Sequence, residues 1–333
     1  MAVRADGIAN MPRENPYRGL VSSLDAESFA LLSSAVRERE CRESVGFGTL
    51  AEAAELYRPA PACPRCGEPA PMRDGRTEAG VQRWRCPSCG RRFTSLTGTV
   101  LERGKAEMPQ WVQFVRLMRF NVPLDAAAEV VGVTHQTAWE WRHRVFAAVD
   151  GYQERIVLRD RVWIDEAYVN DTDLSHGYGQ ARKRGLSKQK LCIAVAIDVH
   201  KNPVAVVCGH GKPSTRRMKD ALLSHLAPGS VVVHDRERSH EGLIRAAGCS
   251  SEAYKADVRD PAYLACMELV NDLCSWLKRY LWRFTGMKPC NMQSYLNWYV
   301  YLFRVNQARD RWPGTERVVR HLLTTDATFR SST

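Results

Sequence analysis

Two cysteine pairs of the same form are the strongest constraint on the fold of this 333-residue chain. They read Cys63-Pro-Arg-Cys66-Gly and Cys86-Pro-Ser-Cys89-Gly, with 19 residues between the two pairs. Each CxxC pair can point two thiolates at one metal ion, and the glycine after it permits the turn that brings amide N–H groups toward sulfur. Four thiolates close the coordination shell. The spacing therefore predicts one structural Zn²⁺ in a zinc ribbon over residues 61–100.

The charge of the chain favours a polyanionic partner. Lys and Arg number 48 against 37 Asp and Glu, a formal net charge of +11, and cationic surfaces bind nucleic acid with release of its counterions. The basic excess is concentrated in residues 61–120 and 276–333. Clustered arginines in the ribbon suit phosphate contact, although some ribbons bind protein instead: Arg65, Arg83, Arg85, Arg91 and Arg92.

Membrane and secreted classes are excluded by the hydrophobic pattern. The longest apolar candidate, around Val300 to Val305, is interrupted by Arg304 and is far shorter than the roughly 20 residues that a bilayer requires. The first 20 residues carry charges and prolines but no apolar core of a signal peptide. We therefore expect a cytoplasmic, nucleoid-associated protein.

Changes of sequence pattern along the chain predict five regions. Residues 1–60 read as amphipathic helices, residues 61–100 as the ribbon, and residues 105–150 as helical throughout. From residue 156 to residue 310, runs rich in β-branched residues alternate with helical segments, which predicts an α/β domain. Residues 311–333 are assigned to a basic C-terminal tail. The expected fold class is therefore multidomain, with the catalytic chemistry in the α/β region.

A helix, a glycine turn and a second helix are predicted between Pro123 and Arg144. Ala127, Val130 and Val131 are expected to pack inward, Gly132 to supply the turn and Thr134 to cap the second helix. This is the pattern of a helix-turn-helix domain, whose second helix reads DNA. An ordinary helical hairpin with solvated polar residues is the alternative. The residues expected to contact DNA are His135, Gln136, Thr137 and Arg144, with Glu140 also exposed.

Two aspartates follow apolar β-like segments in the α/β region. Asp165 lies inside VWIDEAYV and Asp235 ends SVVVHD, so neighbouring strands can bring both carboxylates together, as paired Mg²⁺ ions require. Taken singly, an aspartate is more often a helix cap or an ion-pair partner. Downstream, Asn271 and Lys278 are seven residues apart on one face of a predicted helix, and Glu268 lies one turn earlier.

The order of these motifs resembles the ribonuclease-H-like core of DDE transposases. More narrowly, the chain resembles insertion-sequence transposases that carry an amino-terminal zinc ribbon and an Asp, Asp, Asn, Lys signature. The similarity extends from about Cys63 to Asn306 and rests on CPxCG twice, IDEAYV, VVHD and VNDLxSxLKR. It implies that Asp165, Asp235 and Asn271 hold two Mg²⁺ or Mn²⁺ ions and that Lys278 contacts phosphate near the scissile bond. A neutral Asn in place of Glu implies weaker binding of the second ion.

The same resemblance implies an activity and partners. A DNA transposase would bind the ends of its element, cleave them to free a 3′-OH and join them to target DNA, as a homodimer or a higher oligomer on double-stranded DNA. A nuclease without strand transfer and a DNA-binding regulator derived from a transposase are the alternatives. Other acidic or imidazole side chains near Asp165 could replace an assigned ligand: Glu166, Asp171, Asp173 and His176. The full set of expected DNA contacts is Arg85, Arg91, Arg92, His135, Gln136, Thr137, Arg144, Lys278, Arg279 and Arg283.

Overall fold

The computed structural model describes residues 15–102, 104–170, 190–257, 259–284, 286–308 and 313–327. Asp171, Asp173 and His176, named above as alternative ligands, lie outside the described residues. Within the described ranges, three helices come first, and Asp25 caps the second by accepting a hydrogen bond from the N–H of Ser28 (2.7 Å). These helices are α1 (Arg18–Ser23), α2 (Ala26–Val45) and α3 (Leu50–Tyr57). The described part of the first region is thus mainly helical.

A small three-stranded antiparallel sheet follows, with the cysteine pairs beside it. It consists of β1 (Met72–Arg76), β2 (Gln82–Arg85) and β3 (Arg92–Thr94). Trp84 and Phe93 are buried against the cysteines in a hydrophobic cluster separate from the main core. The indole N–H of Trp84 donates to the hydroxyl of Ser95 (2.8 Å), which satisfies its polar atom inside this cluster. Because this cluster contains so few apolar residues, it stabilises the three-stranded sheet poorly. The sheet therefore needs an additional crosslink.

Three helices form the next part of the chain: α4 (Met108–Arg119), α5 (Leu124–Val131) and α6 (His135–Ala147). Gly132 ends α5 with a φ of 74°, a left-handed conformation that glycine adopts without strain. The hydroxyl of Thr134 caps α6 by accepting from the N–H of Thr137 (3.1 Å), as predicted. One inward position was wrong: Val130 is 57% exposed, because the buried stripe of α5 runs through Ala127, Ala128 and Val131.

The α/β region is built on a five-stranded mixed sheet with the order β6-β5-β4-β7-β8. The central strand β4 pairs antiparallel with β5 and parallel with β7, and β5 is buried along its whole length. The short strand β8 was not predicted, because its sequence Ser-Ser-Glu-Ala lacks the apolar residues that mark a strand. The strands are β4 (Arg161–Val169), β5 (Leu191–Asp198), β6 (Pro203–His210), β7 (Val231–His234) and β8 (Ser250–Ala253).

Helices connect and cover this sheet, which confirms the predicted α/β class. In chain order, the first of these helices lies between β6 and β7, and the second lies between β7 and β8. The third packs against the central strands β4 and β5. The helices are α7 (Thr215–Leu222), α8 (Arg238–Ala246), α9 (Pro261–Leu281) and α10 (Met292–Gln307). Among the described residues, no helix is long and apolar enough to cross a membrane.

The region predicted as a basic tail contains a packed helix, α11 (Gly314–Thr324). Its apolar stripe of Val318, Val319, Leu322 and Leu323 is buried in the main core, where α11 contacts α4. Beyond its end, Arg58 and Asp326 form an ion pair (2.8 Å). The prediction of a basic tail rested on the charges of this segment and missed the helical spacing of its apolar residues. Residues 314–324 form a packed helix instead.

Candidate functional site

The four cysteines of the CxxC pairs converge on one point. Their sulfur atoms all lie within 4.8 Å of one another, with Cys63 Sγ 3.6 Å from Cys89 Sγ and Cys66 Sγ 3.5 Å from Cys86 Sγ. Four sulfurs around Zn²⁺ with bonds of about 2.3 Å lie about 3.8 Å apart in a tetrahedron. The spacing fits a ZnS₄ site and is too long for a disulfide.

The backbone around the cysteines has the turns that the sequence predicts. Gly67 and Gly90 have φ angles of 75° and 70°, and their N–H groups donate to the carbonyls of Cys63 (2.9 Å) and Cys86 (3.0 Å). Desolvation opposes ionisation of the Cys63 thiol, but amide N–H groups of Arg65 and Cys66 that point at its sulfur lower its pKa to about 6. The cluster is therefore compatible with a zinc ribbon, as predicted.

The register of two parallel strands brings Asp165 and Asp235 together. Trp163 of β4 pairs with Val233 of β7, and Asp165 and Asp235 each follow two residues later, so the parallel register brings the two carboxylates near each other. Just after Asp235, Arg236 adopts a left-handed conformation with φ 65°. Such strain in a non-glycine residue is typical of functional sites.

The electrostatics of this pair are those of a cation site. Burial and, to a lesser extent, the negative charges of Glu166 and Asp235 together raise the pKa of Asp165 to about 6. Crowded carboxylates of this kind resist ionisation unless a positive charge lies between them. Carboxylate oxygens are also the ligands that Mg²⁺ prefers. Asp165 and Asp235 can therefore hold a divalent cation, which would relieve their repulsion.

Helix α9 presents the predicted face to this pair. Cys274 Sγ lies 4.0 Å from Asp165 Oδ2, and the indole N–H of Trp163 donates to the carbonyl of Cys266 (2.7 Å), which fixes the helix against β4. With about 100° of rotation per residue, Asn271 and Lys278 lie within about 60° of Cys274 on the helix. Glu268, the alternative ligand, is exposed and lies about 120° from Cys274.

A buried histidine that the sequence analysis missed links the two acidic segments. His240 of α8 is fully buried, and its Nε2 lies 2.9 Å from Glu166 Oε1 while its Nδ1 lies 3.5 Å from Asp235 Oδ1. Burial opposes its charge, but the contacts with Asp235 and Glu166 raise the pKa of His240 to about 9. The contact with His240 also holds the pKa of Asp235 below its usual range.

Glu166, named above as an alternative metal ligand, contacts His240 instead of facing α9 with Asp165. Side chains alternate along a strand, so Glu166 points to the opposite side of the sheet from Asp165 and meets α8, whereas Asp165 meets α9. His240 also lies close to His234, and with Asp235 the two imidazoles form a second group of potential metal ligands. The signal available in the sequence was the spacing HDRERSH, which places His234 and His240 within five residues of Asp235.

Some of the residues predicted to contact DNA are exposed, and others form hydrogen bonds within the protein. In α6, His135 and Gln136 are exposed, and His135 Nδ1 contacts Asp125 Oδ1. Arg144 is turned toward the protein, where its guanidinium donates to the carbonyls of Val100 (3.4 Å) and Glu102 (3.3 Å). Thr137 is half-buried beside Thr134. The helical geometry is as expected, and its role toward DNA stays a prediction.

The other predicted DNA contacts lie on the surface. The ribbon contributes Arg85, Arg91 and Arg92, and only Arg92 of these forms an ion pair among the described residues, with Asp74 (2.9 Å). Lys278 and Arg279 are exposed on α9, and Arg283 is exposed just beyond its end. Three basic side chains thus follow the segment of α9 that faces Asp165.

Comparisons with known proteins gave one family match and several similar solved structures. Residues 157–306 match the family model of the ISXO2-like transposase domain. Among solved structures, the Mos1 transposase paired-end complex with the left transposon end is 13% identical, covers 67% of this chain and 78% of that chain, and has a TM-score of 0.28. The Mos1 mariner paired-end complex with Mn is 12% identical and covers 65% of this chain and 78% of that chain, with a TM-score of 0.23. No curated protein matches the chain.

The matched family region contains the whole of the acidic site. It begins before β4 and ends in α10, so Asp165, Asp235, Asn271 and Lys278 all lie inside it. The zinc-ribbon cysteines and the α5–α6 helices lie outside it. The family assignment therefore bears on the acidic site and not on the predicted DNA-reading segments.

Loss of one cysteine from the cluster should release zinc. We expect about one zinc per chain in the wild type and almost none in Cys63→Ser or Cys89→Ser, since a ribbon with so small a core depends on its metal. Atomic emission on purified protein measures this. Cys290→Ser, which removes an exposed cysteine outside the cluster, is the control and should keep the metal. Zinc retained after Cys63→Ser would contradict the assignment.

We expect His240 to orient the Asp235 carboxylate and to contribute less to the stability of the fold. In His240→Asn, the amide can replace Nδ1 beside Asp235, whereas in His240→Gln it can replace Nε2 beside Glu166. We expect His240→Gln to weaken Mn²⁺ binding about tenfold or more, the usual effect of losing a partner that orients a metal ligand, and His240→Asn to remain close to wild type. Mn²⁺ binding is read by electron paramagnetic resonance.

Thermal unfolding of both His240 variants is the control for a purely structural effect. Similar unfolding midpoints with different Mn²⁺ affinities would support the positioning role. Wild-type Mn²⁺ affinity in His240→Gln would contradict it.

Proposed function

We propose that the protein is a metal-dependent DNA transposase, because residues 157–306 match the family model of the ISXO2-like transposase domain. It binds the ends of an insertion sequence and hydrolyses a phosphodiester there, which frees a 3′-OH. That hydroxyl then attacks a phosphodiester of target DNA, forming a new P–O bond as the target's own 3′-oxygen leaves. The catalytic region has the strand order expected of a ribonuclease-H-like core.

The observation that carries this proposal is the register of β4 and β7. Asp165 lies within the apolar strand β4 and Asp235 directly follows β7, each two residues beyond the paired residues Trp163 and Val233. Helix α9 lies across them with Asn271 and Lys278 on the near face. Structural ion pairs place opposite charges together, whereas this pair places like charges together at a cost. The arrangement suits a cation and an anionic substrate.

Each residue has a distinct role in the proposed chemistry. Asp165 and Asp235 would hold the divalent cations together with the carboxamide oxygen of Asn271. The bound ions would supply a nucleophile of lowered pKa and stabilise the entering and leaving oxygens of the in-line displacement. Lys278 would bind a non-bridging phosphate oxygen and orient the scissile bond. His240 would keep Asp235 directed at the site from the side of α8.

Asn271 sets the metal requirement of the site. A carboxamide offers an oxygen ligand but no charge, so it should bind Mg²⁺ or Mn²⁺ more weakly than the carboxylate of Glu. The substrate phosphate would then supply part of the negative charge that completes the second ion's coordination. The site would therefore bind its second ion in a DNA-dependent manner.

The remaining modules would recognise DNA. The exposed arginines of the zinc ribbon suit phosphate contact, and the exposed first turn of α6 suits the major groove. Transposition joins two element ends, so a homodimer or higher oligomer on DNA is proposed as the working assembly.

Two alternatives share parts of this evidence. A nuclease on the same core would cleave DNA without joining it to a target, and a strand-transfer assay separates the two. A DNA-binding regulator derived from a transposase would have lost its metal site. The pair of half-buried carboxylates Asp165 and Asp235 favours an enzyme, because a decayed site has no reason to keep like charges near each other.

Removal of either carboxylate should abolish cleavage and preserve DNA binding. In Asp165→Asn or Asp235→Asn the side chain keeps its size but loses the charge that holds metal, so we expect a loss of at least about a thousandfold in Mg²⁺-dependent cleavage. Gel-shift affinity for DNA should change little, because neither carboxylate contacts the phosphates directly. Asp260→Asn, at the cap of α9, is a control distant from the pair in sequence. Cleavage that survives either change would contradict the assignment.

Substitution of Asn271 should separate the proposed signature from a site with three carboxylates. We expect Asn271→Ala to lower cleavage severely, whereas Asn271→Glu should keep part of the activity and bind Mn²⁺ more tightly, because the added charge strengthens coordination. Cleavage and Mn²⁺ titration measure the two effects. Glu268→Ala is the matched control on the same helix and should resemble wild type. The reverse pattern would place the ligand one turn earlier.

A further inference from the structure

A basic groove with aromatic walls lies beside the end of α9. It has a volume of about 480 Å³, within the range of about 300–1,000 Å³ that suits small organic groups. The end of α4, the last turns of α9 and the face of α10 form its walls. The residues that matter here are Arg119, Phe120, Trp276, Arg279, Arg283 and Phe303.

Among the described residues, the lining of the groove carries arginines and no acidic side chain. None of its lining residues is Asp or Glu, and the nearest acidic residue along α9, Asp272, is one turn before Trp276. Arg119 donates to the neutral oxygens of Thr315 (2.8 Å) and Asn306 (3.4 Å), and Arg283 donates to the carbonyl of Phe120 (3.4 Å). Neutral partners orient these guanidiniums but leave their charge for an anion.

Aromatic rings in the groove are exposed on one side. Trp276 is 44% exposed and packs against Phe303, with ring centroids 6.1 Å apart, so the indole is partly supported and partly exposed to solvent. Phe120, at the end of α4, is 64% exposed. Exposed rings among arginines are the combination that binds single-stranded nucleic acid, where bases stack on aromatic faces and phosphates meet cations.

The groove is also continuous with the acidic site along one helix. Lys278 lies between Trp276 and Arg279 in sequence. Arg279 is rotated by about 100° from Lys278 around the helix, and Trp276 and Arg283 lie on the side of α9 roughly opposite Cys274. A strand held at Lys278 can therefore continue into the groove within a few nucleotides. Bases inside a duplex cannot stack on a side chain, so only unpaired nucleotides can use the exposed rings.

We propose that the groove between α4, α9 and α10 binds unpaired nucleotides of the DNA strand next to the scissile phosphate, with Trp276 stacking on a base and Arg279 and Arg283 binding phosphates. This rests on the proposed function, because it takes DNA as the substrate, and it adds a preference that the acidic site does not require. The occupant is a splayed single-stranded segment and not the duplex itself.

The test compares the binding of two kinds of DNA probe by the full chain. One is a blunt duplex, and the other is the same duplex with a short unpaired thymidine tail at its 3′ or 5′ end. Fluorescence anisotropy should show that the wild type binds at least one tailed duplex about fivefold more tightly, or more, as expected from stacking of one base. Trp276→Leu should lose this preference and bind the blunt duplex as the wild type does.

A matched control is available on the same helix end. Trp282 caps α9, is 81% exposed and does not line the groove, so Trp282→Leu should keep the preference for the tail. Trp276→Phe, which retains an aromatic face, should keep part of it. Arg279→Gln should weaken binding of the tailed duplex and reduce its dependence on salt.

The outcomes of this experiment distinguish failure of the groove proposal from failure of the proposed function. Equal binding of tailed and blunt duplexes by the wild type, or an unchanged preference in Trp276→Leu, overturns the groove proposal while metal-dependent cleavage remains. An equal loss of preference in Trp282→Leu overturns it as well. Absence of binding to every DNA probe overturns both proposals together.

Discussion

The parallel pairing of β4 with β7 is the contact on which the rest of the site depends. It places Asp165 and Asp235 at one level of the sheet, although 69 residues separate them in the chain. A slip of this register by one residue would turn one of the two side chains to the opposite face. The buried, apolar sequences of β4 and β7 prevent such a slip, because it would expose their core-facing residues. Sheet stability and site geometry therefore have the same cause.

Two helices then complete the environment of the carboxylates from opposite sides of the sheet. From one side, α9 brings Cys274 to Asp165 and carries Asn271 and Lys278 on the neighbouring positions. From the other side, α8 brings His240 to Asp235. The pKa of Asp165 is raised while that of Asp235 is lowered, because burial dominates at the first and the imidazole contact at the second. Two chemically identical side chains thus acquire different properties from their surroundings, which is how paired acids come to have separate roles.

Helix α9 connects the acidic site with the basic groove. Its near face meets the sheet, while its other side lines a basic groove with α4 and α10. The hydrogen bond from Arg283 to the carbonyl of Phe120 ties the end of α9 to the helical region that precedes α5 and α6. A rigid helix is a suitable element for this purpose, since it holds side chains more than one turn apart at fixed separations. The predicted DNA-reading helix and the acidic site are therefore connected through packed structure and not only through the chain.

Features that depend on local geometry could be predicted from the sequence. The CPxCG pairs determined the turns at Gly67 and Gly90 and the convergence of four thiolates, because each knuckle is built from adjacent residues. Gly132 and Thr134 likewise specified the turn and cap between α5 and α6. The strand patterns around Asp165 and Asp235 predicted that both would lie at a buried sheet, since apolar alternation and β-branched runs are properties of short segments.

Tertiary structure decided the features that require contacts between distant residues. From their charges, residues 311–333 were predicted to form a basic tail. Part of this segment is a helix, whose residue Leu323 is buried in the main core. Arg144 was predicted to face DNA, and the carbonyl of Glu102, 42 residues earlier, draws it toward the protein. The spacing HDRERSH places His240 near Asp235, but no sequence pattern shows that His240 meets Glu166, which lies 74 residues away. Sequence determined which side chains could do the chemistry, and only folding determined which of them meet, since long-range packing is not encoded in the spacing of any one segment.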